Sequence, residues 1–299
     1  MYEKFEYLLA LGREKHFGRA AQVCGVSQPN LSAAIKQLEL QFGVILVDRG
    51  ARFMGFTPEG ERVLDWARSI VGDFRAMTAE IESMKQGHTG HLRIAAIPTS
   101  LPILSRLTES YWARHPGVHV SISSCNSAEI LARLENLETD IGITYFDQES
   151  VGRNAEVPLY HERYCLIASR DMPMMDRPTV TWEEVSTLPL CLPAADMQNR
   201  RIYDRIFKEV GVSIHPVMES NDFMVRIAHL RAGRLATVTP RIMADDWSVP
   251  PELVSIPIVA PEVSALVGLL YPKRDPVPPL TAALVHEARQ LVPVLTAMA

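Results

Sequence analysis

Residues 17–60 read FGRAAQVCGVSQPNLSAAIKQLELQFGVILVDRGARFMGFTPEG, and this stretch decides the fold of the N-terminal part of the chain. Residues 17–24 can form a short helix, Gly25 can supply a turn with positive φ, and Ser27 can cap a second helix to about Gln41. Two helices joined by so tight a turn predict a helix-turn-helix. The side chains expected to pack between them are small or apolar: Ala20, Ala21, Val23, Val26, Leu31, Ile35 and Leu38.

The opposite face of the second helix carries short or amide side chains, which can approach base edges and phosphates closely. We therefore place this helix in the major groove of double-stranded DNA. The side chains expected at the DNA are Ser27, Gln28, Pro29, Asn30, Ser32, Ala33 and Lys36. An ordinary helical hairpin with a polar surface is the alternative for a helix pair considered by itself.

A basic hairpin is expected next. Residues 46–49 and 53–57 read as two short strands around the tripeptide Gly50-Ala51-Arg52. Such a wing would bring Arg49 and Arg52 to the DNA backbone or minor groove. Two arginines alone do not establish this contact.

A long helix is expected from Pro58 to about Gln86, with Thr57 as its N-cap. Its length would be roughly 43 Å at 1.5 Å per residue. Seven apolar residues are spaced 4, 3, 4, 3, 4 and 3 apart, the 3.5-residue repeat of a seam between paired helices. They are Val63, Ala67, Ile70, Phe74, Met77, Ile81 and Met84. We expect this seam to pair two copies of the chain; a core helix within one globular domain is the alternative.

The N-terminal segment closely resembles the LysR-type transcriptional regulators. The matching residues are Phe17, Ala20, Ala21, Ser27, Gln28, Pro29, Leu31, Ser32, Ile35, Leu38, Glu39, Gly43, Leu46, Arg49, Thr57 and Gly60. The resemblance extends to the total length and implies a linker helix followed by a two-lobed effector domain. Three departures are visible: His16 replaces a usual serine, Val47 replaces a phenylalanine, and Arg234-Leu235 stands where a second glycine often follows Gly233.

Composition agrees with a soluble, cytoplasmic protein of at least two domains. The chain has 299 residues, of which 47% are hydrophobic and 22% charged, and it shows neither a signal sequence nor a membrane span. Residues 1–60 hold seven Lys or Arg against six Asp or Glu, a net +1, whereas the whole chain carries −5. Charge is therefore weak evidence for DNA binding. Two or more copies of this DNA-binding segment would be needed to raise the affinity for DNA.

The cysteines and histidines do not indicate a metal site or a cofactor. Cys24, Cys125, Cys165 and Cys191 are widely separated, and the nine histidines are scattered. We expect reduced thiols in the core. A thiol redox sensor, a role known in the family, is the alternative.

The helix pattern breaks at residues 86–90, and short apolar strands then alternate with helical stretches, as in a doubly wound α/β domain. The expected strands are 92–97, 118–124, 140–146, 164–169, 188–192, 215–219, 235–239 and 263–271. The expected helices are 103–114, 128–137, 201–210 and 223–232.

By resemblance, this domain is similar to periplasmic binding proteins, with a cleft between two lobes that the chain crosses near residues 159–163 and 266–271. The implied division is 1–60 for the DNA-binding domain, 58–86 for the linker, and 91–299 for the effector domain. Lobe I would then comprise 91–162 and 267–299, and lobe II 163–266.

Polar side chains at strand ends and helix starts are the candidates for effector binding, because such positions favour anions. They are Thr99, Ser100, Asn126, Ser127, Asn199, Arg200, Ser220 and Asn221. The hydroxyls could equally cap helices, and Arg200 could equally form a surface salt bridge. The set points to a small anionic effector.

Catalysis is not expected, since the sequence lacks a G-x-S-x-G elbow, a Walker loop, G-x-G-x-x-G and H-E-x-x-H. A transport receptor would require export and would not carry a DNA-reading head. The sequence therefore predicts a transcription regulator that binds operator DNA and a small molecule. Dimers, paired into dimers of dimers, and contact with RNA polymerase complete the expected partners.

Overall fold

Three helices, a two-stranded hairpin and one long helix form the N-terminal part of the protein. Their bounds are α1 Tyr2–Glu14, α2 Phe17–Val23, α3 Gln28–Phe42, β1 Val47–Arg49, β2 Phe53–Phe56 and α4 Pro58–Gln86. This architecture is seen in a computed structural model that describes residues 1–49, 53–146, 154–246 and 249–298. We call α1 to β2 the head and α4 the linker helix.

The core of the head lies between α1 and α3. Leu8 and Leu11 of α1 belong to the same fully buried cluster as Leu31, Ile35 and Leu38 of α3. Burying each such side chain contributes about 1.5–3 kcal/mol relative to exposure. The cluster therefore holds α3 in one orientation and fixes which of its faces remains open to solvent.

Two features of the head differ from the sequence analysis. No element was assigned to residues 2–14, although they form the helix that covers α3. Val23, expected in the core, is 55% exposed, because Ala20 and Ala21 occupy the buried face of α2.

A five-stranded mixed sheet with three helices forms lobe I. Its strands are β3 Gly90–Ala96, β4 Val118–Ser124, β5 Ile141–Tyr145, β6 Asn154–Glu162 and β13 Ala265–Pro272, in the order β4-β3-β5-β13-β6. The helices are α5 Leu101–Arg114, α6 Ser127–Glu135 and α11 Pro279–Met298. β3, β4 and β5 are parallel, so their carboxyl ends meet at one edge of the sheet.

A four-stranded sheet with four helices forms lobe II. Its strands are β7 Tyr164–Ser169, β8 Val180–Thr181, β11 Ala236–Pro240 and β12 Leu253–Val259, in the order β11-β7-β12-β8. A short parallel pair, β9 Cys191–Leu192 and β10 Met218–Glu219, lies beside it. The helices are α7 Trp182–Ser186, α8 Gln198–Glu209, α9 Phe223–Leu230 and α10 Arg241–Asp246.

Several elements of the two lobes were not predicted: β6, β8, β12, α7, α10 and α11. Pro158 interrupts the pattern of β6, yet the strand tolerates it. β6 is at the edge of its sheet, and its register with β13 shifts near this residue. Pro293 similarly lies inside α11.

The chain folds into two compact units. The first contains Met1–His88, Glu135–Glu138 and Arg274–Pro279; the second contains Thr89–Leu134, Thr139–Lys273 and Leu280–Ala299. Both lobes belong to the second unit. Within the described ranges, no helix is both long and apolar enough to cross a membrane.

Candidate functional site

The second helix of the helix-turn-helix, α3, presents a polar face to solvent. Gly25 makes the preceding turn with φ of 66°, and the Ser27 Oγ accepts a hydrogen bond from the Asn30 N–H at 3.4 Å. Because Leu31 and Ile35 are fully buried, the opposite side of α3 is left open. The residues expected at the DNA are exposed, apart from half-buried Ser32: Ser27, Gln28, Pro29, Asn30, Ala33 and Lys36.

The two head departures from the family pattern preserve this geometry. The Nδ1 atom of His16 accepts hydrogen bonds from the N–H groups of Gly18 at 3.0 Å and Arg19 at 3.3 Å. The imidazole thus caps α2 as a serine hydroxyl would. Val47 is fully buried in the head core.

The wing is tied to α3 through Glu39. Its Oε1 atom accepts hydrogen bonds from the N–H groups of Leu46 at 3.1 Å and Val47 at 3.3 Å. Antiparallel pairing of β1 with β2 then carries Arg49 toward the tip of the hairpin. Arg52, the other expected wing contact, lies outside the described residues.

The linker helix begins directly against the wing. The Thr57 hydroxyl donates to the carbonyl oxygen of Ile45 at 2.7 Å and accepts from the N–H of Gly60 at 2.9 Å. A Cβ atom on Gly60 would lie 1.9 Å from the carbonyl oxygen of Leu46. Only glycine therefore permits this close approach of the helix to the backbone just before β1.

Five residues of the predicted seam are exposed on the linker helix. They are Ile70 at 42%, Phe74 at 45%, Met77 at 48%, Ile81 at 45% and Met84 at 82%. Val63 is half-buried, and Ala67 is fully buried in the head cluster. Ala67 therefore packs inside the head, which corrects its expected contact with a second copy.

Trp66 was missed in the sequence analysis although it is 61% exposed. It precedes Ile70 by four residues and so lies on the same side of the helix. The 4-3 spacing excluded it, because that spacing places Ala67 on the seam instead. We call Trp66, Ile70, Phe74, Met77, Ile81 and Met84 the apolar stripe.

A cavity of about 460 Å³ lies between the two lobes. Lobe I contributes Pro98, Leu101, Ser124, Cys125, Asn126 and Glu129, and lobe II contributes Asp196, Met197, Asn221, Asp222, Phe223 and Met224. Its size falls in the range of small-molecule sites, roughly 300–1,000 Å³. The cavity is therefore the candidate effector site.

Two of the eight predicted effector residues, Asn126 and Asn221, line this cavity. The Oδ1 atom of Asn126 accepts a hydrogen bond from the N–H of Glu129 at 2.9 Å, so this side chain also caps α6. Asn126 therefore caps α6, as the alternative interpretation expected, and also lines the cavity.

Thr99 and Ser100 do not belong to the lining. Thr99 is 2% exposed, and its hydroxyl lies 3.1 Å from the hydroxyl of Tyr145. Ser100 is fully buried and donates to the carbonyl oxygen of Ile97 at 2.9 Å. Both hydroxyls are used to hold the strand exit.

Arg200 is not a cavity residue either. It is buried, and its guanidinium bonds Asp204 at 2.9 Å, Glu219, and the carbonyl oxygen of Pro193 at 2.9 Å. Its positive charge is satisfied within lobe II. The predicted anion contact is therefore replaced by ion pairs between the buried Arg200 and two exposed carboxylates.

The remaining three candidates also lie outside the lining. Asn199 is buried, and its Oδ1 atom accepts from the N–H of Arg200 at 3.0 Å. Ser220 accepts from the N–H of Asp222 at 3.2 Å. Ser127 is 5% exposed, and its hydroxyl has no hydrogen-bond partner in the described part of the chain.

The cavity residues missed by the sequence analysis are mainly acidic or apolar. Asp222 caps α9 and Glu129 completes the cap of α6, so their positions were recognisable as helix starts. Asp196 and Met197 lie in the loop before α8, where no periodic pattern marks them.

A buried carboxyl group, Glu162, lies at the end of β6, directly before the chain enters lobe II. Its Oε2 atom accepts a 2.7 Å hydrogen bond from the hydroxyl of Tyr145. Its Oε1 atom has no hydrogen-bond partner among the described residues. Burial raises the pKa of this carboxyl to about 7, although hydrogen bonds from Tyr145 and Thr99 oppose the shift.

All four cysteines are free thiols. Burial is the largest influence on each, raising the pKa of Cys165 to about 12 and the pKa values of Cys24, Cys125 and Cys191 above their ordinary range. These thiols are therefore protonated near neutral pH and poor nucleophiles. Across the described residues, no group of three or more His, Cys, Asp or Glu side chains could hold a metal ion.

The sequence matches two family models and several known proteins. Residues 2–61 match the family model "Bacterial regulatory helix-turn-helix protein, lysR family", and residues 85–293 match the "LysR substrate binding domain". The DNA-binding transcriptional dual regulator OxyR of Escherichia coli K12 is 28% identical over 287 residues, covering 91% of this chain and 89% of that protein. A hydrogen peroxide-inducible genes activator of Haemophilus influenzae is 33% identical over 186 residues, 62% of this chain and 59% of that protein.

A solved structure of similar fold is a full-length OxyR variant from Pseudomonas aeruginosa, with TM-score 0.74 and 23% identity. The match covers 97% of this chain and 94% of that one. Head, linker helix and two-lobed domain together define a DNA-binding transcription regulator with an effector-binding domain. The chain belongs to the LysR family.

Proposed function

We propose that this regulator reads operator DNA with the first half of α3 and with its wing. The supporting observation is the orientation of α3, whose apolar side is locked into the head core while its polar side faces solvent. Amide and hydroxyl side chains on such a face can pair with base edges, each good contact contributing about 1–3 kcal/mol of discrimination. The proposed DNA contacts are Ser27, Gln28, Pro29, Asn30, Ser32, Ala33, Lys36, Arg49 and Arg52.

The apolar stripe of the linker helix supports self-association. Trp66, Ile70, Phe74, Met77 and Ile81 expose large apolar surface along one side of α4. A monomer rarely leaves such a stripe in water, and burial against a second copy would stabilise a dimer. Two heads held by one dimer would bind a partly palindromic site, and pairing of dimers would extend the site further.

The inter-lobe cavity supports the sensing role. Because both lobes line it, a ligand there would favour one relative lobe orientation over another. We propose that this preference changes how the protein holds DNA and engages RNA polymerase. The functional division would be residues 1–60 for DNA binding, 58–86 for dimerisation and 91–299 for sensing.

Peroxide sensing through a thiol is not the function that we propose, although a relative is named a hydrogen peroxide-inducible genes activator. A peroxide-reactive cysteine needs a depressed thiol pKa, whereas burial raises the pKa of each of the four thiols here. We likewise assign no catalytic role to the chain and place its action in the cytoplasm, where its DNA target lies.

Selection from random DNA duplexes with the full-length chain tests the DNA-reading role. Enrichment of a sequence with two half-sites, followed by a footprint spanning both, is the expected result. The sensing role is tested by a cavity-filling variant, Asn221→Trp, with Val217→Trp as a matched control at an exposed position outside the lining. A metabolite that changes the footprint of the control but not of Asn221→Trp supports the cavity; equal responses contradict it.

A further inference from the structure

The cavity lining is acidic, which does not suit the anionic effector expected from the sequence. It contains three carboxylates: Glu129 from lobe I, and Asp196 and Asp222 from lobe II. Among the lining residues described, there is neither a lysine nor an arginine. An anion entering this space would meet negative charge from both lobes.

Among the arginines of lobe II, Arg226 lies close enough to Asp222 for the two charges to interact, so it offsets part of the negative charge. Arg200 is engaged by Asp204 and Glu219. Arg226 is 3% exposed and outside the lining, and it donates to the carbonyl oxygen of Ser220 at 2.7 Å.

Arg201, on the first turn of α8, is exposed and bonds the Gln198 side chain and the carbonyl oxygen of Asp196. It too lies outside the lining. All three guanidinium groups therefore have protein partners, and none of them lines the cavity.

Helix N-termini offset part of the negative charge. The Asp222 Oδ1 atom accepts from the N–H groups of Met224 at 2.7 Å and Val225 at 3.2 Å, and the Glu129 Oε2 atom accepts from the N–H of Asn126 at 3.2 Å. Each helix start contributes about half a positive charge. The starts of α6, α8 and α9 together thus supply roughly +1.5 against the three lining carboxylates, so negative charge is in excess within the lining itself.

The carboxylates also retain free capacity for a ligand. The described hydrogen bonds engage one oxygen of Glu129 and one oxygen of Asp222, and a carboxylate can accept several. Asp196 is exposed, and its described hydrogen bond is made by its backbone carbonyl. A charged donor in the cavity could therefore reach carboxylate oxygens from both lobes.

The rest of the lining is apolar and polarisable. Pro98, Leu101, Met197, Phe223 and Met224 provide hydrocarbon, thioether and aromatic surface. Aromatic faces attract cations, and the guanidinium of Arg226 already lies 5.6 Å from the centre of the Phe223 ring. Methionine packs well against irregular apolar groups. The lining therefore suits a positively charged group carried on an apolar body.

We propose that the cavity binds a small organic cation, an amine or amidine with an apolar portion. This inference rests on the proposed role of the cavity as the effector site. Without ligand, Glu129 repels Asp196 and Asp222 across the gap between the lobes. A bound cation removes that repulsion and attracts both sides, so it favours the closed arrangement and supplies the differential affinity that a switch requires.

Thermal-shift and calorimetric titrations of the full-length chain test the ligand class with charge-matched probes. The amines are 2-phenylethylamine, 4-phenylbutylamine and 1,4-diaminobutane; the carboxylates are 3-phenylpropionate, 5-phenylpentanoate and succinate. At least one amine should raise the melting temperature of the protein, and its Kd should increase as the salt concentration increases. Stabilisation by carboxylates alone, or by none of the six compounds, overturns the proposal.

Three neutralising variants locate the binding. Asp222→Asn and Glu129→Gln each remove one charge and keep the capping capacity, and Asp196→Asn removes a charge from a side chain that does not cap α8. Each should weaken amine binding about tenfold, whereas Asp171→Asn, an exposed control elsewhere in lobe II, should not. Unchanged amine affinity in all three variants overturns the proposal.

The ligand class and the sensing role can fail separately. An amine that binds through these carboxylates without altering the DNA footprint would support the ligand class and count against the cavity as the control site. A carboxylate that binds in the cavity and alters the footprint would support the cavity as the control site and count against the ligand class.

Discussion

The hydroxyl of Tyr145, at the end of β5, donates a 2.7 Å hydrogen bond to the carboxyl of Glu162, at the end of β6. Glu162 is 1% exposed, so its charged form would be almost entirely removed from water. Burial therefore keeps the proton on this carboxyl up to about pH 7.

This raised pKa predicts a stability that depends on pH. Between the ordinary pKa of 4.5 and about 7, the folded protein holds a proton that the unfolded chain releases, so stability falls as pH rises through this window. Glu162→Gln, which cannot ionise, should match the parent protein at about pH 5 and exceed it by about 2–3 kcal/mol at about pH 8. Urea unfolding at both pH values measures the difference.

Glu156 provides the matched control, because it is an exposed glutamate on the same strand. Glu156→Gln should leave the pH dependence of unfolding unchanged. A pH dependence that persists equally in Glu162→Gln would show that other groups cause it.

The two ends of α3 should differ in their effect on DNA recognition. Gln28 lies at the first position of the helix and Gln41 in its last turn, and both are exposed. Since the first turns of a recognition helix enter the groove, Gln28→Ala should reduce the preference for operator over random DNA by about 1–3 kcal/mol. Gln41→Ala should have little effect. Competition band shifts compare them, and equal losses would argue against this orientation of α3.

The apolar stripe should control association. Met77→Asp would place a charge in the proposed interface, where it meets its own symmetry mate, and should raise the dimer dissociation constant by roughly tenfold to 100-fold. Thr78→Asp puts the same charge about a quarter turn away on the same helix and should have a smaller effect. Analytical ultracentrifugation gives both constants. Association that is insensitive to Met77→Asp would place the interface elsewhere.

The thiols should resist oxidation. Cys165 is fully buried, with a pKa raised to about 12, so the native protein should react with a thiol reagent far more slowly than the unfolded chain. Operator binding should survive millimolar peroxide. The double variant Cys125→Ser, Cys191→Ser is the check: a footprint that changes with peroxide in the parent but not in this variant would restore a redox role.

Local patterns predicted the helix-turn-helix within the head, because its structure follows from nearby residues. Leu31, Ile35 and Leu38 share helical spacing, Gly25 supplies the turn, and Ser27 caps the helix that follows. Each of these signals acts over a few residues and can be recognised without knowledge of the rest of the chain.

The cavity was predicted less well, because its lining depends on distant parts of the chain meeting. Arg200 has the pattern of a ligand contact until Glu219, nineteen residues later, pairs with it. Asp196 lies in a loop, where only the approach of lobe I gives it a role. The position of β6 was hidden by Pro158, which only an edge strand tolerates.

The absence of a side chain at Gly60 has a mechanical consequence. The linker helix meets the chain backbone to backbone at Leu46, the residue before β1, with no flexible group between them. Its 29 residues span about 43 Å, so each degree of tilt about the wing displaces the far end by about 0.75 Å. In the opposite direction, a movement of a few ångströms at the far end becomes a rotation of the wing by only a few degrees. A large displacement at the far end of the linker helix would therefore change the angle of the wing on DNA only slightly.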